Sequence, residues 1–407
     1  MEINQVTVIG AGVMGHGIAQ VFAMHGYNVN LVDISDDILR NALKKIKDSL
    51  NKFLSKGLIS KEDIDNILSR IKTSISIKEG VEKSDLIIEA VPEEIDIKRE
   101  VFKKADNFSP KHAIIVTNTS GLPVTAMAEV TKRPDKVAGM HWFNPPQLMK
   151  LIEIIKCKYT SQDTVNVIYD ISKKLGKEPI IVNTDIRGFI ANRVYRAIRY
   201  EAYAMILRGE SKPIEIDSAV RYKLGVPMGP LELVDFTGGL QIELSESKSI
   251  EDLRRNYPDW EPQDEYIKFR QFAMSLAEQY VREGKLGVKS GIGFYKYPGP
   301  GIWRKIDIPP EAGENIDILS IISPAINIAT WMISKEVSTA RSIDLALKLG
   351  FRFSKGILEL ADEYGIEKVV ENLLAKREKY KKHIYSDVYI PNNLLIDMMR
   401  KGIKFYQ

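Results

Sequence analysis

The run QVTVIGAGVMGHGIAQVF at residues 5–22 constrains the fold of this chain more than any other segment. A β-branched stretch at residues 5–9 leads directly into GAGVMG, and Ile18, Val21 and Phe22 then keep helical spacing. A second apolar run, Val29 to Val32, ends on Asp33. Glycines alone would be a weak signal, but strand before, helix after and an acidic residue closing the next strand are the full context of a dinucleotide-binding turn. Gly10 permits the tight turn, Gly12 lets the backbone approach a pyrophosphate, and Gly15 lets helix and strand pack closely. Val13 and Met14 complete the turn, and the helix N-terminus faces the phosphates. Asp33 would accept hydrogen bonds from ribose hydroxyls and repel a 2′-phosphate, and Ile34 rather than arginine follows it. The expected cofactor is NAD.

At 407 residues the chain predicts two or three domains. Its 58 basic and 54 acidic residues nearly cancel, leaving +4, so no polyanion-binding surface and no nucleic acid partner is expected. No run of 18 apolar residues predicts a membrane span, and the first apolar run lacks the basic flank of a signal peptide. A cytoplasmic protein is expected. Cys157 is the only cysteine, which excludes an intrachain disulfide and thiol-ligated zinc. No metal site is predicted.

After Asp33, the faces Leu39, Leu43, Ile46, Leu50, Phe53 and Ile64, Ile67, Leu68, Ile71 predict an inserted helical hairpin, with Ser60 and Asp63 starting its second helix. Lys45, Ser49, Lys52 and Lys56 share a polar stripe on the first helix. It reads either as a solvated face or as a cradle for phosphates. Further strands are predicted at Leu86–Glu89, Ala113–Thr117 and Val137–Met140, each ending in a polar segment: EAVPEE, which holds Ala90, then TNTSG and HWFNP. Ligands collect at such carboxyl ends in open α/β sheets. Pro92, Glu93 and Glu94 suit a helix start.

His141 closes the third of these strands. Glu153 lies in the apolar run Leu151 to Ile155, where a charge without a partner is costly. An imidazole bonded to that carboxylate would be held in one tautomer with its cation stabilised, as a general base requires. Taken singly, the two residues read rather as a satisfied core histidine and an edge glutamate.

VIGAGVMGHGIAQ, DLIIEAVPEE, TNTSGLPVT, HWFNPPQLMKLIEII, GFIANR, GVPMGPLELVD and GVKSGIGFYKY occur here in the order found in the L-3-hydroxyacyl-CoA dehydrogenase family, which the chain resembles over roughly residues 5–297. The resemblance implies that His141 is the general base, Glu153 its orienting partner, and Ser120 and Asn192 the hydrogen-bonding groups around the substrate hydroxyl and thioester. It places Ala90, Glu93, Lys98 and Asn118 on the cofactor, and Ser49, Lys56 and Asn144 on coenzyme A. Two departures stand out: Arg187 precedes Gly188 where the family usually has proline, and Gly121 follows Ser120 where a second serine is common. The implied reaction is oxidation of the 3-hydroxyl to a 3-ketoacyl-CoA, with hydride passing to NAD.

Residues 188–295 read as helices, and an internal repeat follows the KYPGPGIW linker. IDSAVRYKLG is echoed by IDLALKLG, LELVDFTG by LELADEYG, and REGKLGVKSGIGFYKY by a contracted RKGIKFYQ. The reading is therefore an α/β Rossmann-type domain with a helical-hairpin insertion, 1–186, followed by two tandem all-α domains, 187–300 and 301–407. The ungapped echo sets Leu319 opposite Asn192, so the second copy is expected to be structural. This layout resembles the dehydrogenase part of bifunctional fatty-acid oxidation proteins, without hydratase activity. A monomer built as an internal pseudo-dimer, or a homodimer, is expected. Two rival readings are a related hydroxy-acid dehydrogenase such as an L-gulonate type, and a crystallin-like relative that has lost catalysis.

Overall fold

The computed structural model describes residues 2–406, with the backbone alone at positions 239, 242–243 and 245–249. The chain divides into two compact units, Met1–Phe189 and Ile190–Gln407.

The first unit is built on an eight-stranded sheet: β1 (Gln5–Ile9), β2 (Asn28–Val32), β3 (Ile71–Ser74), β4 (Leu86–Glu89), β5 (Ile114–Thr117), β6 (Val137–Trp142), β7 (Leu151–Ile155) and β8 (Glu178–Val182). Their order is β3-β2-β1-β4-β5-β6-β7-β8. All neighbours are parallel except β6 and β7. The strand order reverses between β1 and β4, which opens a crevice at their carboxyl ends. Strands β4 and β5 are buried throughout, which explains their unbroken apolar runs.

Helices α1 (Gly15–Met24), α2 (Asp36–Ser55), α3 (Lys61–Ser69), α4 (Ile77–Val81), α5 (Ile95–Phe108), α6 (Val124–Ala128) and α7 (Gln162–Lys174) complete this unit. The expected hairpin is α2 and α3. Ser35 caps α2, and Ser60 with Asp63 forms a reciprocal capping box at α3. Ile71 leaves the helix pattern and opens β3, where it pairs with Val29 of β2. Strand β6 continues two residues beyond its expected end, since Met140–Trp142 pair with β7. Pro179 interrupts the pattern of β8, a position tolerated because that strand is the sheet edge.

The second unit is helical: α8 (Ala191–Leu207), α9 (Pro213–Leu224), α10 (Pro230–Thr237), α11 (Gly239–Asn256) and α12 (Asp264–Arg282), then α13 (Leu319–Ser334), α14 (Ala340–Phe351), α15 (Ile357–Tyr364), α16 (Ile366–Lys379) and α17 (Asn393–Lys401). The repeat read from the sequence recurs in side-chain chemistry. Asp217 accepts the Leu231 and Glu232 N–H groups and the Tyr295 hydroxyl, and Asp344 accepts those of Leu358, Glu359 and Tyr406. Asp235 accepts the N–H groups of Phe294 and Tyr295, as Asp362 does for Phe405 and Tyr406. Arg221 faces Glu232, and Lys348 faces Glu359.

The two copies pack directly on each other. Tyr195 of α8 stacks on Phe351 of α14 at 3.9 Å. The fully buried Glu201 of α8 accepts from Lys376 of α16 (2.7 Å), Arg208 (2.7 Å) and Tyr389 (2.8 Å). Burial alone would raise the Glu201 carboxyl, but Lys376 and Arg208 hold it below the usual range.

Candidate active site

Each glycine of the β1–α1 turn has a distinct steric reason. Gly10 has φ +100°, and a Cβ there would lie 2.5 Å from the Ala90 carbonyl oxygen, where β1 and β4 meet. A Cβ at Gly15 would fall 1.7 Å from the Gly10 carbonyl oxygen. At Gly12 a Cβ would meet nothing within 4 Å, so the turn leaves open space for an approaching group. That combination fits a bound pyrophosphate. Val13 is exposed beside it, and Met14 is the N-cap of α1. Asp33 accepts the Ala11 N–H at 2.6 Å and the Ile34 N–H at 2.7 Å, which ties the end of β2 to the glycine turn.

Antiparallel pairing of β6 with β7 sets His141 directly opposite Glu153. Their side chains meet through Nδ1 and Oε2 at 2.6 Å, with Glu153 fully buried and His141 5% exposed. Phe143 (4.6 Å) and Phe189 (5.6 Å) pack on the imidazole. Phe189 holds φ +51° after Gly188 at +78°, so two left-handed residues follow the buried Arg187. A non-glycine residue in the left-handed region carries backbone strain.

At the carboxyl ends of β4 and β5 lies an ionic chain in which Lys98 and Glu89 are buried and Glu93 is half-buried. Lys98 Nζ donates to Glu89 (2.8 Å) and lies 3.2 Å from Glu93. Glu89 also accepts from Thr117 (2.7 Å) and from the Val91 N–H (2.7 Å). Glu93 accepts from the Thr119 hydroxyl (2.6 Å) and from the backbone N–H of Ser120 (2.8 Å), with the Ser120 hydroxyl at 3.2 Å. Although burial opposes each charge, Lys98, Thr119 and Ser120 hold Glu93 below the usual carboxylate range, and Glu89 and Glu93 hold Lys98 above the usual ammonium range. Glu93 therefore precedes α5, which begins at Ile95, and fixes the Ser120 loop from there. Asn118 accepts the Trp142 N–H at 2.9 Å, linking that loop to β6.

The polar stripe of α2 is one wall of a cavity of about 460 Å3 that includes Lys45, Ser49, Lys52 and Lys56, with Asp48 among them and His16, Gln147 and Leu148 opposite. Asn144 is exposed next to Pro145, which also lines this cavity. Asn192 is the second residue of α8, in the helical unit, and is half-buried. The sequence reading passed over Glu89, Thr117, Thr119, Phe143, Phe189 and Gln147. A glutamate ending an all-apolar strand is the same signal that exposed Glu153, so Glu89 was findable; the aromatic contacts depend on the tertiary fold alone. Among the described residues, no group of three His, Cys, Asp or Glu side chains is placed to hold a metal ion, and no helix is long and apolar enough to cross a membrane.

Residues 5–186 match the family described as 3-hydroxyacyl-CoA dehydrogenase, NAD binding domain. The C-terminal domain of the same family matches twice, at 188–297 and 320–404. The human mitochondrial hydroxyacyl-coenzyme A dehydrogenase is 41% identical over 300 residues, spanning 72% of this chain and 91% of that protein. A probable 3-hydroxybutyryl-CoA dehydrogenase of Bacillus subtilis is 39% identical over 297 residues, 73% of this chain and 98% of its own. The crystal structure of 3-hydroxybutyryl-CoA dehydrogenase from Escherichia coli shares the fold over 98% of this chain and 99% of that one, with a TM-score of 0.83 at 24% identity.

Proposed function

From the premise that this chain belongs to the 3-hydroxyacyl-CoA dehydrogenase family, we propose that His141 and Glu153 are the proton-transfer pair of an NAD-dependent oxidation of L-3-hydroxyacyl-CoA to 3-ketoacyl-CoA. The observation that carries the assignment is the 2.6 Å contact between His141 Nδ1 and the buried Glu153 carboxylate. A carboxylate there favours the Nδ1–H tautomer and leaves the Nε2 lone pair to take the hydroxyl proton. The same carboxylate stabilises the imidazolium that results. Bound NAD supplies the hydride acceptor.

Ser120, held by Glu93, hydrogen-bonds the substrate oxygen in this reading, and Asn192 keeps the substrate contact that the family resemblance gives it. Gly10, Gly12, Val13, Met14, Gly15 and Asp33 hold the adenosine and pyrophosphate, while Ala90, Glu93, Lys98 and Asn118 border the nicotinamide half. The α2 cavity takes the nucleotide tail of coenzyme A through Ser49 and Lys56, with Asn144 at its edge. Its lysines favour phosphates, which moves the stripe from solvated face to binding wall. The second helical copy, with Leu319 where Asn192 stands in the first, serves as an internal partner rather than a second site. A reducing, cytoplasmic setting fits the single buried cysteine.

The test is oxidation of NADH in the presence of acetoacetyl-CoA. His141→Gln should lower kcat by about 10²–10⁴ while NADH binding stays intact, the range for losing a general base. Glu153→Gln should show a smaller loss of the same kind. Wild-type turnover by His141→Gln would remove the proposed mechanism. No turnover of any 3-ketoacyl-CoA from C4 to C16 would remove the substrate assignment.

A further inference from the structure

Lys177 stands between α7 and β8, and only 6% of the residue is exposed. Its ammonium donates to the carbonyl oxygens of Pro146 (2.6 Å) and Met149 (2.7 Å) and sits 5.5 Å from the centre of the Trp142 ring. Burial pushes its pKa down to about 8, with no carboxylate offsetting that loss. A buried cation held only by carbonyl dipoles and a ring face is costly to keep, so what it holds matters.

It holds a turn. The Leu148 and Met149 N–H groups both donate to the Pro145 carbonyl, and Lys177 grips the carbonyls on either side of Gln147 and Leu148. Those two residues line the α2 cavity. Gln147 Nε2 donates to Ser49 across it at 3.3 Å. On its other side the turn presses on α1, where a Cβ at Gly17 would come within 2.8 Å of Gln147 Oε1.

We infer that Lys177 is a positioning residue for thioester-tail recognition: by clamping the Pro146–Met149 turn it sets Gln147 and Leu148 as the wall facing Ser49, and so acts on binding of the coenzyme A nucleotide. This rests on the reading of the α2 cavity as the site of that tail. The hydrogen bonds of Lys177 go to Pro146 and Met149, not to His141, Glu153 or the β1–α1 turn.

The experiment compares acetoacetyl-CoA with acetoacetyl-N-acetylcysteamine, which carries the same reacting group without the nucleotide. Lys177→Met should raise KM for the CoA thioester about tenfold, the scale of losing charge-assisted hydrogen bonds. KM for NADH, kcat, and kcat/KM for the truncated thioester should stay within about twofold. Lys177→Arg, which keeps charge and donors, should recover part of the loss. If Lys177→Met fails to fold, Gln147→Ala reports on the same wall and should give the same split between thioesters. An equal loss on both thioesters, or no loss on either, overturns the inference. A wild-type enzyme that uses both thioesters equally well would instead sink the cavity assignment on which it rests.

Discussion

Asp33 spends hydrogen-bonding capacity on its own chain, accepting the Ala11 and Ile34 N–H groups, so its charge is fixed beside the turn expected to receive the dinucleotide. A 2′-phosphate brought there meets a carboxylate that has no freedom to swing aside. NADH should outperform NADPH in kcat/KM by roughly ten- to a hundredfold, the equivalent of about 1–3 kcal/mol of repulsion. Steady-state kinetics with both cofactors measures this, and equal use would contradict it. At this scale the sequence was readable wherever one residue broke a pattern: a glutamate inside an isoleucine run, an aspartate at a strand end, three glycines in a turn. It was not readable where the function of a residue depends on a distant neighbour. Glu93 looked like a helix-starting acid, yet its carboxylate is committed to Thr119, Ser120 and Lys98.

The helical repeats show the same rule for elements. In each copy an aspartate at mid-helix accepts the first N–H groups of the next short helix, and glycine must precede that helix. A Cβ at Gly229 or Gly356 would come within 2.3 Å or 2.0 Å of that aspartate. Burial pushes Asp217 up to about 7, and the Leu231, Tyr295 and Glu232 donors only partly oppose it. Because this pKa is raised on folding, its contribution to stability is full below the unfolded value near 3.8 and is lost as the pH rises through about 7. Asp217→Asn cannot titrate. Melting of the variant should be lower at pH 5, where the parent's carboxyl is protonated and the asparagine NH2 replaces an acceptor oxygen facing N–H and O–H donors, and its gap to the parent should narrow by roughly 1–4 kcal/mol toward pH 8. Parallel pH profiles for the two proteins would exclude Asp217 as the titrating group. The repeat itself was legible because its capping aspartates, glycines and closing tyrosines are local in sequence. The missing strands β3 and β8 were not, because four or five residues with a polar or proline interruption carry too little periodicity.

For the whole molecule, the second copy covers surface that the first would otherwise expose. Tyr195 loses its stacking partner, and Glu201 loses Lys376 and Tyr389, if the chain stops after Tyr297. Such a fragment should aggregate or pair with itself, whereas the full 46.1 kDa chain should be active as a monomer. Light scattering on both decides it: an obligate dimer of the full chain with a soluble, fully active monomeric fragment would show that copy two is no internal partner. The sequence by itself determined the nucleotide-binding unit and the duplication, written in short-range periodicity and in strings that repeat, while His141 and Glu153 stood out as a pair through the family resemblance. Only the tertiary structure decided the antiparallel register that sets His141 opposite the Glu153 already expected as its partner, that a buried Lys98 ties Glu89 to Glu93, and that Lys177 clamps the turn over the α2 cavity. The physical reason is that a charge can be buried only where distant parts of the chain converge to solvate it, and no local pattern records which parts those are.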